Sequence, residues 1–278
     1  MPQPVLASPL NLNEPVDPKD PFPYGWRFVK KAGKNGSKTT VQVPLTLEDI
    51  LHPQEEDFRV PSDPHWQDTN YLYNAFKIAL ADTPGAYVLG DCRVAWDRNG
   101  DYGHRPDVTV IFNVRKKKRW STFNVVKEKT KPALIVEVTS PTVRSTDLVN
   151  KVHEYAELKV PHYVIADARE KDDKREISLI DYHLSPNAAG YYTLPSDDVG
   201  RVWLTEVQLW LGAEDGRLVC WDERGEKVKT AVEEHQARLK EHEARVEAEK
   251  RAAALEDRVK ELEQQAQRKP GPNRRNGA

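Results

Sequence analysis

A single carboxylate, Glu137, interrupts the otherwise apolar stretch Ala133-Leu134-Ile135-Val136-Glu137-Val138. An unpaired charge in a strand buried on both faces costs several kcal/mol, so Glu137 needs either a buried cationic side chain or a bound cation. Asp107 follows Pro106 at the start of the preceding strand-like stretch, residues 108–112. Antiparallel pairing of the two strands would bring the two acids together. Close carboxylates repel unless a cation sits between them, and a hard divalent ion such as Mg²⁺ accepts two carboxylate oxygens, a backbone carbonyl and waters. Asp147, Lys151 and Tyr155 follow at four-residue spacing, one face of a helix. Taken alone, Asp147 and Lys151 read as an exposed ion pair worth less than about 1 kcal/mol. A helix-borne lysine aimed at a carboxylate pair is also what phosphodiester hydrolysis uses: the amine orients a metal-activated water and offsets charge growing on the phosphate oxygens.

These residues need a scaffold, and residues 25–223 carry mixed helix and strand signals. Residues 26–31 and 39–43 flank Gly33-Lys34-Asn35-Gly36, a hairpin by its turn chemistry. A short helix follows at 45–51, with Thr46 and Asp49 at capping-box spacing. Asp63 and Pro64 read as the N-cap and first position of a helix whose core face is Leu72, Ala75, Phe76, Ala79 and Leu80, stopped by Pro84-Gly85. Strands are expected at 86–89, 92–96 and 108–112, with Asn99-Gly100 as turn residues, and at 133–138. A second helix starts near Ser145 or Thr146, turns Leu148, Val152, Tyr155 and Ala156 to one side, and is closed by Val160-Pro161 before a strand at 162–166. The order predicts an α/β (α+β) fold built on a central mixed sheet.

The 278 residues are 38% hydrophobic and 31% charged. Globular chains run nearer to about 45–50% and about 25%, so part of this one lies outside any core. Residues 1–24 hold seven prolines and read as a flexible leader. Residues 226–268 contain neither Gly nor Pro and read as one long charged helix, with a short basic tail at 269–278. Val232, Leu239, Val246 and Ala253 recur every seven residues, but His235, His242 and Glu249 occupy the alternate core positions, and Leu255, Val259 and Leu262 shift register. A solvated single helix and a coiled coil with a second copy both fit; a homodimer through the 25–223 domain is the other arrangement considered. A formal charge of −2 excludes a uniformly basic nucleic-acid coat, so any anion site is local. No apolar run reaches the ~18 residues of a membrane span, and no signal-peptide pattern opens the chain, so a soluble cytoplasmic protein is expected. Cys92 and Cys220 sit in apolar stretches and are expected in the core, which leaves no thiolate zinc cluster.

The strongest local charge is Arg115-Lys116-Lys117-Lys118-Arg119, continued by Lys127, Lys129 and Lys131. Such a run reads either as a solvated loop or, beside a metal site, as a grip on a DNA backbone. Trp120 and Phe123 within it either stack on bases or pack on the sheet. His65, His104, His153 and His162 are scattered without zinc-ligand spacing and are assigned no metal.

The ordered set Pro106-Asp107, Glu137-Val138-Thr139-Ser140-Pro141, Asp147-x-x-x-Lys151-x-x-x-Tyr155-Ala156 and Val160-Pro161-x-Tyr163-x-x-x-Asp167 resembles the Uma2 family of restriction-endonuclease-like proteins, within the PD-(D/E)xK nuclease superfamily. Leu51-His52-Pro53 and Pro64-His65 extend the resemblance, which covers about residues 45–170. It implies a restriction-endonuclease-like sheet flanked by helices, a Mg²⁺ site that also accepts Mn²⁺, and DNA as substrate, cleaved to a 5′-phosphate and a 3′-hydroxyl. Asp107 and Glu137 would hold the metal with the Val138 carbonyl, and Arg115, Lys116, Lys117, Lys118 and Arg119 would contact DNA. The lysine of the superfamily pattern, two residues after the glutamate, is here Thr139. The resemblance assigns its task to Lys151; Tyr155 reads as a packing or supporting residue, and Asp147 as a helix-start residue that holds Lys151 in place. If Lys151 cannot reach the acids, the alternative is a silent nuclease fold serving as a DNA-binding or scaffold module, its long helix docking a partner. A metal-dependent hydrolase of another phosphoester is a third reading. Lys151 Nζ is expected within about 6 Å of one carboxylate, where opposite charges shift each other's titration.

Overall fold

The computed structural model describes residues 21–22, 24–32, 38–58, 62–100, 102–139, 146–171, 174–187 and 190–268. Trp26–Ala32 (β1) and Lys38–Pro44 (β2) form the expected antiparallel hairpin, whose turn at 33–37 lies outside the described residues, as does nearly all of the proline-rich leader. Leu47–Leu51 (α1) opens on a reciprocal cap: Asp49 N–H donates to Thr46 Oγ1 at 3.2 Å and Thr46 N–H to Asp49 Oδ2 at 2.8 Å. Asp63–Ala79 (α2) is N-capped by Ser62, one residue earlier than expected, so Pro64 falls in the first turn where its missing N–H has no partner to lose. Leu72, Ala75 and Phe76 are buried, but Ala79 is exposed and Leu80 half-buried, so the apolar face stops a turn short of the helix end.

Tyr87–Gly90 (β3) is followed by Arg93–Ala95 (β4), Gly103–His104 (β5), Val108–Ile111 (β6), Thr122–Asn124 (β7) and the single turn Val125–Glu128 (α3). Pro132–Val138 (β8) then leads, through a π-helical turn at Thr146–Asn150, into Lys151–Glu157 (α4). His162–Lys171 (β9), Lys174–Leu184 (β10), Tyr191–Leu194 (β11), Val202–Leu204 (β12), Leu209–Glu214 (β13) and Arg217–Trp221 (β14) follow. The main sheet runs β11-β10-β9-β8-β6-β3. It is mixed, as expected. β8 and β9, joined through α4, are parallel, and the other pairs are antiparallel.

Side chains alternate across β8, and both faces are covered, which explains the near-continuous apolar run. Leu134, Val136 and Val138 join Leu72, Ala75 and Phe76 of α2 and Leu204, Leu209, Leu211 and Leu218 of the β12-β13-β14 sheet. Ile135, with Tyr163 and Ile165 of β9, packs on Leu148 and on Tyr155 of α4. Asp68, fully buried on α2, ties the first layer together through Arg175 of β10 and Arg217 of β14, the latter at 2.8 Å. Cys92 and Cys220 are buried free thiols, and burial pushes the Cys92 thiol up to about 11.

The chain divides into two compact units, residues 1–228 and 229–278. The second is Ala231–Arg268 (α5), five residues shorter at its start than expected. Thr230 and Glu233 cap it reciprocally, with Glu233 N–H to Thr230 Oγ1 at 3.1 Å and Thr230 N–H to Glu233 Oε2 at 2.7 Å. The basic tail beyond it lies outside the described residues. Among the described residues no helix is long and apolar enough to cross a membrane.

Candidate functional site

β6 and β8 pair antiparallel with Val108 opposite Val136, so the register carries Asp107 to the position beside Glu137 at one end of the sheet. Glu137 faces α4 and is 2% exposed. Lys151 Nζ donates to Glu137 Oε1 at 2.8 Å, well inside the expected reach, and the Tyr155 hydroxyl donates to the same oxygen at 3.2 Å. Lys151 is itself only 3% exposed. The π-helical turn, which accommodates one extra residue, precedes Lys151 directly, and Leu148, Lys151 and Tyr155 are all buried. Asp147 is described in its backbone alone, and Ser140 to Ser145 lie outside the described residues.

Asp107 is held from both layers. Val138 N–H donates to its Oδ2 at 2.8 Å, and His65 Nε2, delivered by the first turn of α2, stands 3.2 Å from the same oxygen. Asp107 N–H in turn reaches Glu137 Oε2 at 3.4 Å. Burial pushes the Asp107 carboxyl up, but His65, Lys151 and the Val138 N–H outweigh it and hold the group below the ordinary carboxylate range. Its side chain is 14% exposed, so one edge of the site meets solvent.

Three oxygens at this end of the sheet are of the type a hard cation takes. Asp107 Oδ1 accepts no hydrogen bond from the described residues. Glu137 Oε2 is engaged by a long backbone contact. The third is the Val138 carbonyl. Thr139 N–H donates to Ala166 of β9 at 2.9 Å, and in a trans peptide the preceding carbonyl points the opposite way, toward β6. Extending the β6–β8 register puts Pro106 opposite Val138. Proline has no N–H, so β6 offers that carbonyl no ladder donor. Two carboxylates and a backbone carbonyl are oxygen ligands of the kind Mg²⁺ and Mn²⁺ take.

Other expectations fare differently. The Thr139 hydroxyl is committed to β9: it accepts from Ala168 N–H at 2.9 Å and donates to Asp167 Oδ1 at 3.3 Å. The basic run does not flank the acids. Val114 N–H bonds Gly85, and Lys117 lies over the ring of Tyr87, whose strand partner is Ile111. Asp107 sits at the other end of β6, four residues and roughly 14 Å away at about 3.4 Å per residue. Arg115, Lys116, Lys117, Lys118 and Arg119 are all exposed, and Lys118 pairs with Glu128 at 2.7 Å. Trp120 packs on Tyr87 at 4.9 Å and on Phe123 at 5.2 Å between ring centroids, the sheet-packing alternative.

Two supports escaped the sequence. His65 stands 42 positions from Asp107; its signals were its place beside Pro64 at a helix start and in the Pro64-His65 motif of the resemblance, and neither gave it a role. Glu154, on the turn of α4 between Lys151 and Tyr155, accepts from Tyr102 at 2.8 Å and meets His104 Nε2 at 2.7 Å. His104 is fully buried, and its ring lies 4.8 Å from that of Tyr155.

Residues 56–179 match the model of the Uma2 family, described as a putative restriction endonuclease. That segment holds Asp107, Glu137 and Lys151. A solved structure of a putative nuclease belonging to DUF820 from Anabaena variabilis is similar at 13% identity, over 59% of this chain and 91% of that one, with a TM-score of 0.41. No curated protein matches the sequence.

Proposed function

We propose that the Uma2-type segment, residues 56–179, is a Mg²⁺-dependent DNA endonuclease that also works with Mn²⁺ and hydrolyses phosphodiester bonds. The observation that carries this reading is the convergence of Asp107, Glu137 and Lys151 Nζ at one end of the sheet, the last at 2.8 Å from Glu137. Asp107, Glu137 and the Val138 carbonyl would hold the ion, which supplies a Lewis acid at the phosphate oxygens and acidifies water. Lys151 orients the attacking water and offsets charge developing on phosphorus-bound oxygens. Tyr155 fixes the Glu137 rotamer from which Lys151 hangs. His65 anchors Asp107 through Oδ2 and leaves Oδ1 to face the ion.

Arg115, Lys116, Lys117, Lys118 and Arg119 would grip the DNA backbone away from the scissile phosphate, a sequence-blind and salt-dependent contribution. In this reading the chain acts in the cytoplasm and forms a homodimer, through α5 or through the first unit. Purified protein incubated with plasmid and Mg²⁺ tests the assignment. Nicking or linearisation is expected, abolished by EDTA and reduced at least about a hundredfold by Asp107→Ala. Cleavage indifferent to both treatments contradicts it.

One observation favours a second reading, a non-cleaving nuclease fold that binds DNA or serves as a scaffold. Thr139 stands where the superfamily lysine belongs, and its hydroxyl is spent on β9. DNA binding without metal affinity or cleavage is the outcome that reading expects.

A further inference from the structure

Strand pairing gathers a second set of ligating groups that residue spacing does not reveal. His162 of β9 and His183 of β10 are direct cross-strand partners, with rings stacked at 4.2 Å. Asp181 precedes His183 by two residues and therefore points from the same face. One ligating atom from each of the three lies within 4.8 Å of the others. His162 Nε2 is 2.7 Å and His183 Nε2 is 2.9 Å from the same oxygen, Asp181 Oδ1. The His183 nitrogen is buried, yet among the described residues it makes no well-formed hydrogen bond.

The tautomers separate this cluster from the other one of similar make-up, His52, His104 and Glu154. His104 Nδ1 accepts the Trp96 indole N–H at 2.8 Å, so Nε2 carries the ring proton toward Glu154 and is closed to a metal. His162 is arranged the other way round. Its Nδ1 lies 2.7 Å from Glu206 Oε2, between β12 and β13, while Nε2 faces the cluster. A carboxylate on the far nitrogen is the outer partner that orients a metal-ligating imidazole.

We propose that His162, Asp181 and His183 form a zinc-type site, with Glu206 as the positioning residue for His162 and a fourth coordination place left to water. Two imidazoles and one carboxylate are a Zn²⁺ donor set, with bonds of about 2.0–2.2 Å. Tetrahedral bonds of that length put ligand atoms roughly 3.3 Å apart, so the observed contacts open by about half an ångström. Binding releases the His162 Nε2 proton to solvent. His183 and Glu206 are 22% and 18% exposed, which gives the ion an entry. The site is independent of the proposed nuclease centre. His162 pairs with Leu134, three residues before Glu137, and shares the face of Val164 and Ala166, which pack on the β12-β13-β14 layer rather than on α4.

The test uses the full chain, stripped by chelator and titrated with Co²⁺ and then Zn²⁺ near pH 8, where protons compete less for imidazole. One equivalent of Co²⁺ should give the intense visible bands of tetrahedral cobalt, and Zn²⁺ should displace it. His183→Ala, at a half-buried position, should abolish the bands while retaining the wild-type circular dichroism. Glu206→Gln should weaken the affinity about 10- to 100-fold. Asp107→Ala should leave the bands unchanged, so loss of the nuclease reading leaves this one standing. Absence of the bands in the wild type, their persistence in His183→Ala, or their loss in Asp107→Ala overturns the proposal.

Discussion

Glu137 and Lys151 form an ion pair with both partners almost fully buried, and its energetics are asymmetric. Removing the amine alone leaves a buried carboxylate without this counter-charge, which typically costs about 3–5 kcal/mol. Lys151→Met should therefore lower the stability of the first unit by about 3–5 kcal/mol. Adding Glu137→Gln should restore a large part of it. Urea unfolding of the single and double variants checks this, and a Lys151→Met variant as stable as the wild type contradicts it. The need of Glu137 for a cationic partner was legible from one charge among apolar neighbours; the reach of Lys151 came from the family resemblance, since its spacing alone read as an exposed pair with Asp147, which the burial of Lys151 overturns. The grip of His65 on Asp107 was not, because it depends on where the first turn of α2 lands against a sheet formed 42 residues later.

At the level of elements, the pairing of β6 with β8 is what makes two acids thirty positions apart into neighbours, and Pro106 is what leaves the Val138 carbonyl without a ladder donor. The apolar run of β8 and its pairing with β6 could be read from the sequence; the rest of the strand order, with Arg93–Ala95 in a separate sheet, could not. The place of the 115–119 run was readable, because Asp107 opens β6 and the run leaves from its opposite end. Helix α4 is braced by His104 and Glu154, and that brace titrates. Burial depresses His104 to about 4 against the opposing pull of Glu154. An unfolded chain protonates histidine near 6.5, so between about 6.5 and 4 the unfolded state binds more protons and stability falls as the pH falls. The contribution reaches about 3 kcal/mol, present above pH 6.5 and lost toward pH 4. Glu154, also held below its ordinary value, acts in the same direction. His104→Gln should flatten the difference in unfolding free energy between pH 7 and pH 4.5. Equal pH slopes for variant and wild type contradict this role.

For the molecule as a whole, the surplus of charge is concentrated in α5, where 18 of 38 residues are Asp, Glu, Lys or Arg, and which forms a rod of about 57 Å at 1.5 Å per residue. Val232, Leu239, Leu255, Val259 and Leu262 are exposed on it, and intrahelical pairs such as Arg238–Glu234 at 3.3 Å support it. Its existence was legible because neither Gly nor Pro interrupts it; its start at Ala231 and its partner were not, the latter because the heptads change register. If α5 pairs two copies, sedimentation equilibrium should find the full chain dimeric and a chain ending at Val228 monomeric, with Mg²⁺-dependent cleavage retained. A full chain that stays monomeric at high concentration contradicts the pairing. The β12-β13-β14 sheet, beyond the family match, completes the core under α2 and belongs to the first unit.

The claim on which the enzymatic reading depends is that two acids and a backbone carbonyl cage a divalent ion beside a buried amine. Anomalous diffraction from crystals grown with Mn²⁺ tests it most directly. The expected result is a manganese peak in coordination contact with Asp107, Glu137 and the Val138 carbonyl, absent in Asp107→Ala. Well-ordered crystals with no peak at that place contradict it.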